Sequence, residues 1–470
     1  FSVSDAARGR VLLERLPAAG SVGSAGADHA SVFSQGELLL SSIDRLVESI
    51  DVLETPPEEL TPDQYRELDS LHSRLTRARR EYEGLLVLAA ETASDEAALL
   101  GGVRADVPGI QDVLERGQLL VEYFVPLEGP VVVFAVSRDE VRAVETPIVA
   151  TNLASRVRLV RDLIARPSNT SARLDRLLEG LHVALLEPLL NAGLLSEVEE
   201  LIVVPHRELV YLPFAALREG RTGRYLVQDH ALRVLPSAAS LPVLARRSTR
   251  AGQGLRGSAF APFPDQLPAS RLEVNAVASE NGHITRHVGS QASEREVRLA
   301  LAEPGLVHLA THGILNVGNP MFSRLELARN GRRDSGDDGR LEVHELLRLT
   351  VDAPLVYLSG CETGLGAAHS TSFAVGADYA TLAQAFLFAG ASSVVATLWP
   401  VEDAGAAEFA SRFYRNLNQV PPTLALAEAQ RAMLGGERLS NPYYWAGFQL
   451  AGDHGRRTAH IQPGSSVPLE

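Results

Sequence analysis

Cysteine is nearly absent: Cys361 is the only one in 470 residues, which excludes any internal disulfide and any cysteine-rich metal site. Long apolar runs are missing as well. Nothing approaches the ~20 consecutive apolar residues of a membrane-spanning helix, so no membrane partner is expected. Positive charge is in the minority, with 44 Lys+Arg against 58 Asp+Glu and a net charge of −14. That balance argues against a phosphate-tracking surface and direct nucleic-acid binding. The most basic stretch, Arg246 to Arg256 (RRSTRAGQGLR), is rich in Gly and Ser and reads as an exposed linker. There is no GxxxxGK[ST] loop, and no Gly-rich stretch opens a helix after a strand as a dinucleotide site requires. No cofactor is expected. A signal-peptide pattern is also lacking, which leaves the cytoplasm as the expected location; the start at Phe1 rather than Met is what a fragment shows.

What is present is the composition of a globular chain, 45% apolar and 22% charged, long enough for two or three packed units. Residues 1–33 are rich in Gly, Ala and Ser without a period and read as a flexible segment. Over 34–100 two helical seams follow. Leu39, Ile43, Leu46, Ile50 and Leu53 recur at alternating four- and three-residue spacing, as do Leu68, Leu71, Leu75, Ala78, Tyr82, Leu85 and Ala89. Between them Thr61-Pro62-Asp63-Gln64 is a helix start, with Thr as N-cap, Pro first and Gln third. Two seams joined by a short turn predict an antiparallel helical hairpin.

From about residue 117 the period shortens. Gln118–Phe124, Val131–Val136 and Glu140–Val144 read as a meander of short strands, followed by helices near 152–166 and 172–192. Leu201–Pro205 is a fully apolar strand of the kind buried in an α/β sheet. Beyond the linker, strands at 258–261, 284–288, 306–310, 355–359 and 393–398 alternate with helices near 269–281, 292–302, 379–389 and 403–417. That alternation predicts an α/β fold, a mostly parallel sheet flanked by helices.

Reactive groups in such sheets gather past the carboxyl ends of the strands. The run LVHLA (306–310) is followed at once by Thr311-His312-Gly313, and LVYLS (355–359) by Gly360-Cys361-Glu362-Thr363-Gly364. A histidine and the single thiol thus end two similar strands, the pairing a cysteine nucleophile with a proton-transfer partner needs. Amides at Gly313 and Cys361 are the candidate oxyanion hole, worth roughly 3–4 kcal/mol per donor in well-studied enzymes. His308 and His312 have the spacing of a metal pair, but four strand residues span about 13 Å, too far to share one ion. His308 is read as a structural residue within the sheet, and His206 and His344 carry no assigned role.

The residues ATHG (310–313) and LSGCETGLG (358–366) resemble the His and Cys motifs of CHAT-domain proteins, relatives of caspases and separase. The blocks VPHRELVYLPFAAL (204–217), QDHALRVLPSAASL (228–241), AFLFAGASSVVATLWPVED (385–403) and PYYWAGFQLAG (442–452) extend the resemblance over about 117–453. It implies a caspase-like fold whose first half, 101–250, is a degenerate, non-catalytic counterpart of a catalytic half at 251–455, with a flexible tail at 456–470. It also implies a cysteine endopeptidase, latent until activated, in bacterial defence or programmed death, with an upstream TPR-type sensor docking on the helical hairpin. Two departures stand out: Gly360 where the family commonly has Ala, and the Ala367–Ala380 stretch.

In that reading Cys361 attacks a peptide carbonyl and His312 protonates the leaving amine. The residue that reads the side chain before the cut falls in Pro262-Phe263-Pro264-Asp265, where Asp265 would suit a basic side chain. The charged loop Arg329–Arg340 (RNGRRDSGDDGR) is either a self-cleavage loop or an ordinary hairpin tip. The competing readings are a catalytically silent scaffold on the same fold and a thiol acyltransferase or amidase.

Overall fold

The computed structural model describes residues 61–90, 105–126, 128–167, 172–248, 256–280, 283–314, 316, 322–329, 337–359, 377–436 and 438–453, and six positions between 39 and 50. The expected flexible ends, residues 249–255 of the expected linker, and residues 330–336 of the charged loop lie outside the described residues, as does Cys361. Two compact units divide at Asp106/Val107.

In the first unit, helix α1 (Pro62–Ala90) begins as its sequence predicts. The Thr61 amide and hydroxyl both donate to Gln64 Oε1 (2.8 and 2.9 Å), and the Gln64 amide points back to Thr61 Oγ1. Leu46 and Ile50 of the first seam are helical and buried, as are Leu71, Leu75 and Ala78 of the second.

The second unit is built on one eleven-stranded sheet. After the short helix α2 (Val107–Val113) come β1 (Gln118–Phe124), β2 (Pro130–Val136) and β3 (Val141–Val149), a meander whose last strand outruns the sequence expectation. Helices α3 (Ala150–Ile164), α4 (Ala172–Leu185) and α5 (Glu187–Asn191) lead to β4 (Glu200–Val204) and β5 (Ala231–Val234), then α6 (Ser240–Ser248). The rest alternates as β6 (Gly257–Ala261), α7 (Pro268–Glu280), β7 (Ile284–Val288), α8 (Glu294–Leu301) and β8 (Leu306–Ala310). A small separate sheet of β9 (Gly313–Ile314), β10 (Arg324–Glu326) and β11 (Arg340–Glu342) comes next, with the single-turn helix α9 (Val343–Leu346). Then come β12 (Leu355–Ser359), α10 (Ala377–Ala389), β13 (Ser393–Thr397), α11 (Asp403–Leu417), α12 (Pro422–Leu434) and β14 (Phe448–Gly452).

The strand order is β3-β2-β1-β4-β5-β14-β13-β12-β8-β6-β7. Every neighbouring pair from β1 to β7 is parallel except β13–β14, so the sheet is mostly parallel as expected. The strands flanking the candidate site, β8, β12 and β13, are buried along their whole length, which is why they are mostly apolar.

β5, α12 and β14 are among the elements with no counterpart in the sequence expectation, and β14 matters most. It runs antiparallel to β13 and parallel to β5, and so joins the two halves of the sheet. At that seam Arg233 is buried and spans both sides. Its Nε donates to Glu200 Oε1 (2.5 Å) and its Nη1 to the Gly452 carbonyl (2.9 Å), while Gln118 Nε2 satisfies Glu200 Oε2. The expected linker is also shorter than its composition indicates. Arg246 and Arg247 belong to α6, and Arg247 Nη1 donates to the Leu387 carbonyl at the end of α10 (2.5 Å).

Candidate active site

β8 and β12 pair in parallel and in register, Leu355 opposite Leu306 through Ser359 opposite Ala310. Their carboxyl ends are therefore level. The chain then turns out of β8 under close control. The Thr311 amide donates across to the Ser359 carbonyl (3.1 Å), and its hydroxyl donates to the Glu326 carbonyl. One residue on, the His312 carbonyl accepts the Glu326 amide (2.9 Å). His312 is thus held on one side by the end of β12 and on the other by β10.

The same ladder sets the next residue. His312 and Glu326 form the hydrogen-bonded pair of the β9–β10 ladder, so the pair beyond, Gly313 with Leu325, is of the alternate kind. In an antiparallel ladder that alternation directs the Gly313 N–H away from β10. The glycine is itself buried.

Phe263 packs against the His312 imidazole, the ring centroids 5.7 Å apart and the planes tilted by 33°. Phe263 stands two residues past β6, in a turn its own carbonyl closes by accepting the Gln266 and Leu267 amides (3.1 and 2.8 Å). Phe263 therefore brings its turn against the histidine. The side chain that touches the imidazole is Phe263, and Asp265 two residues on is exposed. Sequence reasoning misses two residues here. Thr311 figures in it only as a neighbour of His312, although a β-branched hydroxyl residue at a strand end is a familiar backbone clamp. Phe263 yields there to the charged residue of its own turn.

The small sheet carrying Gly313 is anchored from behind by Glu294, Arg298 and Glu345. Arg298 Nη2 bridges Glu294 Oε1 (2.6 Å) and Glu345 Oε1 (2.5 Å). Glu294 Oε2 accepts the Gly339 amide (3.1 Å), and Glu345 Oε2 accepts the Glu342 amide (2.8 Å). Gly339 has φ of +82°, and a Cβ there would stand 2.8 Å from the Leu327 carbonyl, so a larger residue would open this end of the charged loop. Burial, reinforced by the neighbouring Glu294 charge, pushes the Glu345 carboxyl up to about 8 despite Arg298. One guanidinium between two carboxyl groups in a poorly solvated place favours keeping a proton on the pair.

The other histidines have structural surroundings. His308 is buried within β8, as expected, its Nδ1 3.0 Å from Tyr414 Oη and its ring stacked on Tyr357 at 4.8 Å. His344 is buried against Phe322. His206 accepts the Val125 amide on Nδ1 (3.0 Å) and stacks on Phe124. Among the described residues no group of three His, Cys, Asp or Glu is arranged to hold a metal ion.

Comparison with known proteins starts from this geometry. The family model of the CHAT domain matches residues 175–453, more than half of the chain. The chain belongs to the CHAT-domain family. Tetratricopeptide repeat protein 28 of Homo sapiens is 28% identical to this CHAT chain over 302 residues, which is 56% of the chain and 12% of that protein. The Mus musculus protein of the same name is 28% identical over 303 residues, with the same coverage. The chain thus spans only about an eighth of the curated relatives it matches. In the crystal structure of the Saccharomyces cerevisiae separase–securin complex, a chain aligns with 88% of this one over 37% of its own length (TM-score 0.51, 12% identity). At that identity the likeness is one of fold, and the fold is the expected caspase-like one. The outlying CHAT blocks also gain a physical meaning. Trp399 of LWPV donates its indole N–H to the Tyr443 carbonyl (2.9 Å), and the Leu398 amide donates to the Gly447 carbonyl (2.9 Å). AFLFAGASSVVATLWPVED and PYYWAGFQLAG are therefore the two sides of one structural joint.

Proposed function

We propose that this CHAT domain is a cysteine endopeptidase in which Cys361 is the nucleophile and His312 the proton-transfer partner. The observation that carries the reading is the Thr311 amide bonded to the Ser359 carbonyl, which ties the two strand ends together. His312 lies two residues beyond Ala310, and Cys361 two beyond Ser359. Two extended residues reach at most about 7 Å, and neighbouring strands lie about 4.8 Å apart, so a thiol and an imidazole leaving level strand ends are within reach of one another.

In the proposed reaction the Cys361 sulfur attacks the scissile carbonyl carbon and an S–C bond forms. The Gly313 N–H, turned away from β10, and the Cys361 N–H stabilise the oxygen as it gains charge. His312 delivers a proton to the departing amine as the C–N bond breaks, then takes one from the water that hydrolyses the thioester. Phe263 holds the imidazole plane and shields it from bulk water on one face. Asp265 lies on the same turn, exposed where a basic side chain of the substrate would pass. The substrate is a protein or peptide, and we assign the helical unit around α1 to the docking of a TPR-type regulator that releases a latent enzyme.

The test compares wild type with Cys361→Ala on a diverse peptide library, with cleavage sites read by mass spectrometry. Cuts that vanish with the thiol are the expected result, and cuts after Lys or Arg would support the Asp265 assignment. Cleavage surviving in Cys361→Ala removes the cysteine from the mechanism. The single thiol supplies a second, substrate-free readout, its rate of alkylation by iodoacetamide. If wild type cuts nothing and alkylates at the rate of an unstructured thiol, unchanged by His312→Ala, the domain is a binding module.

A further inference from the structure

Helices α3 and α4 flank an open pocket of about 310 Å³ lined by the exposed Arg156, Arg173 and Arg176 together with Leu177 and Gly180. Four of these residues, 173, 176, 177 and 180, form one stripe along α4, and Arg156 reaches across from α3. The other faces of α4 have different occupations. Leu174, Leu178, Leu181 and Leu185 are buried in the core, while Asp175 and Glu179 both hold Arg218 (3.2 and 3.0 Å). The acids of the helix are thus engaged elsewhere. Among the described residues, no carboxylate stands within ion-pair distance of Arg156, Arg173 or Arg176.

Three guanidinium groups gathered around a concavity repel one another, and a chain of net charge −14 has acids to spare for neutralising them. A merely solvated basic face would need neither the hollow nor its floor. That floor is Gly180, inside the fourteen-residue helix α4, where Gly costs roughly 0.5–1 kcal/mol relative to Ala. A Cβ built on Gly180 would already touch Arg156 Nη1 at 3.5 Å, and a longer side chain would fill the cavity.

We propose that this cavity is a binding site for a small phosphorylated metabolite, recognised through its phosphate groups. Each guanidinium presents five N–H donors in a planar fork suited to paired phosphate oxygens. Three such forks exceed what a single carboxylate can accept and suit a diphosphate. The volume is at the small end for ligand sites, about 300–1,000 Å³. Leu177 is the one apolar side chain in the lining, and no aromatic ring is there to stack a base. Recognition therefore stops at the phosphates.

The experiment is isothermal titration of the full chain at low ionic strength with inorganic pyrophosphate, ADP and sodium sulfate, for wild type, the Arg156→Gln/Arg176→Gln double variant and Gly180→Gln. Saturable one-to-one binding of pyrophosphate is expected, with ADP within about threefold and sulfate at least tenfold weaker. Both variants should lose at least tenfold in affinity while their melting temperatures without ligand stay at the wild-type value. The exposed Arg side chains make no contact on which folding depends, so the double variant reports on binding alone. No saturable heat with wild type, or equal affinity in both variants, overturns the site. ADP binding more than tenfold tighter than pyrophosphate overturns recognition through phosphates alone.

Discussion

Two histidines occupy matching places in the two halves of the sheet. His206 stands two residues past β4 and His312 two residues past β8, each strand buried along its length. Their fates differ. His206 accepts the Val125 amide N–H on Nδ1 and lies flat on Phe124, so the ring works as a clip on the end of β1. His312 is anchored through its backbone to β10, with Phe263 packed against its ring. The residue just before each histidine decides. Thr311 has an N–H to donate to Ser359 on the neighbouring strand, whereas Pro205 has none. The residues past the partner strands differ as well. Beyond β5 comes Ser237, buried and bonded to the Ser240 amide; beyond β12 comes the only thiol of the chain. The position of a histidine at a strand end is therefore weak evidence for chemistry, and the way its backbone is secured is stronger evidence.

The largest effect that would test this contrast is on turnover. His312→Ala is expected to lower the rate of Cys361-dependent cleavage by about 10²–10⁴, the usual contribution of a positioned acid–base group, with an unchanged melting temperature. A rate within a fewfold of wild type would break the comparison. Next comes the seam between the halves. Arg233→Met leaves Glu200 buried without its cation and should cost about 3–5 kcal/mol in urea unfolding, since removing one partner strands the other. Thr311→Pro gives the second half the first half's residue. It removes the bond to Ser359 and should cost about 1–3 kcal/mol while bringing Cys361 reactivity down to the His312→Ala level. Wild-type reactivity in that variant would show the clamp to be irrelevant. His206→Ala should do the reverse, destabilising by about 1–3 kcal/mol through the orphaned Val125 amide while leaving cleavage per folded molecule untouched.

A further effect is on pH dependence. The Glu345 carboxyl, pushed up to about 8 by burial, holds a proton in the folded chain that it gives up in the unfolded chain near 4.5. The stability it contributes is full below pH 4.5 and is lost as pH rises through 8. Glu345→Gln should therefore flatten the fall in stability between about pH 5 and 8, as measured by melting temperature. A slope identical to that of wild type would mean that Glu345 is ionised throughout that range.

Much of this is legible in the residues. The mostly apolar runs at 306–310 and 355–359 become β8 and β12 with the same bounds, because strands buried on both faces are predominantly apolar. The Thr61–Gln64 helix start is equally plain, since its hydrogen bonds are local. The features that escape depend on partners distant in sequence. FQLAG is five residues with an ordinary alternating pattern, and only the edges of β13 and β5 make it the strand between two halves. The Thr311 clamp escapes for the same reason, its acceptor being forty-eight residues away by subtraction, 359 − 311. In the Pro262–Asp265 turn charge is the louder signal in sequence, whereas packing puts the aromatic ring on the histidine.

The place of β14 also has a temporal side. Synthesis runs from the amino terminus, so β5 and β13 are both made well before residues 448–452, and until those emerge each strand presents an open edge where its partner will go. In sequence order the sheet is completed last by a strand that lies between two earlier neighbours rather than on the outside. A nascent chain stopped short of β14 would carry both candidate catalytic residues, already translated, on a sheet still in two pieces. The candidate catalytic residues thus precede, in sequence order, the strand that closes their framework.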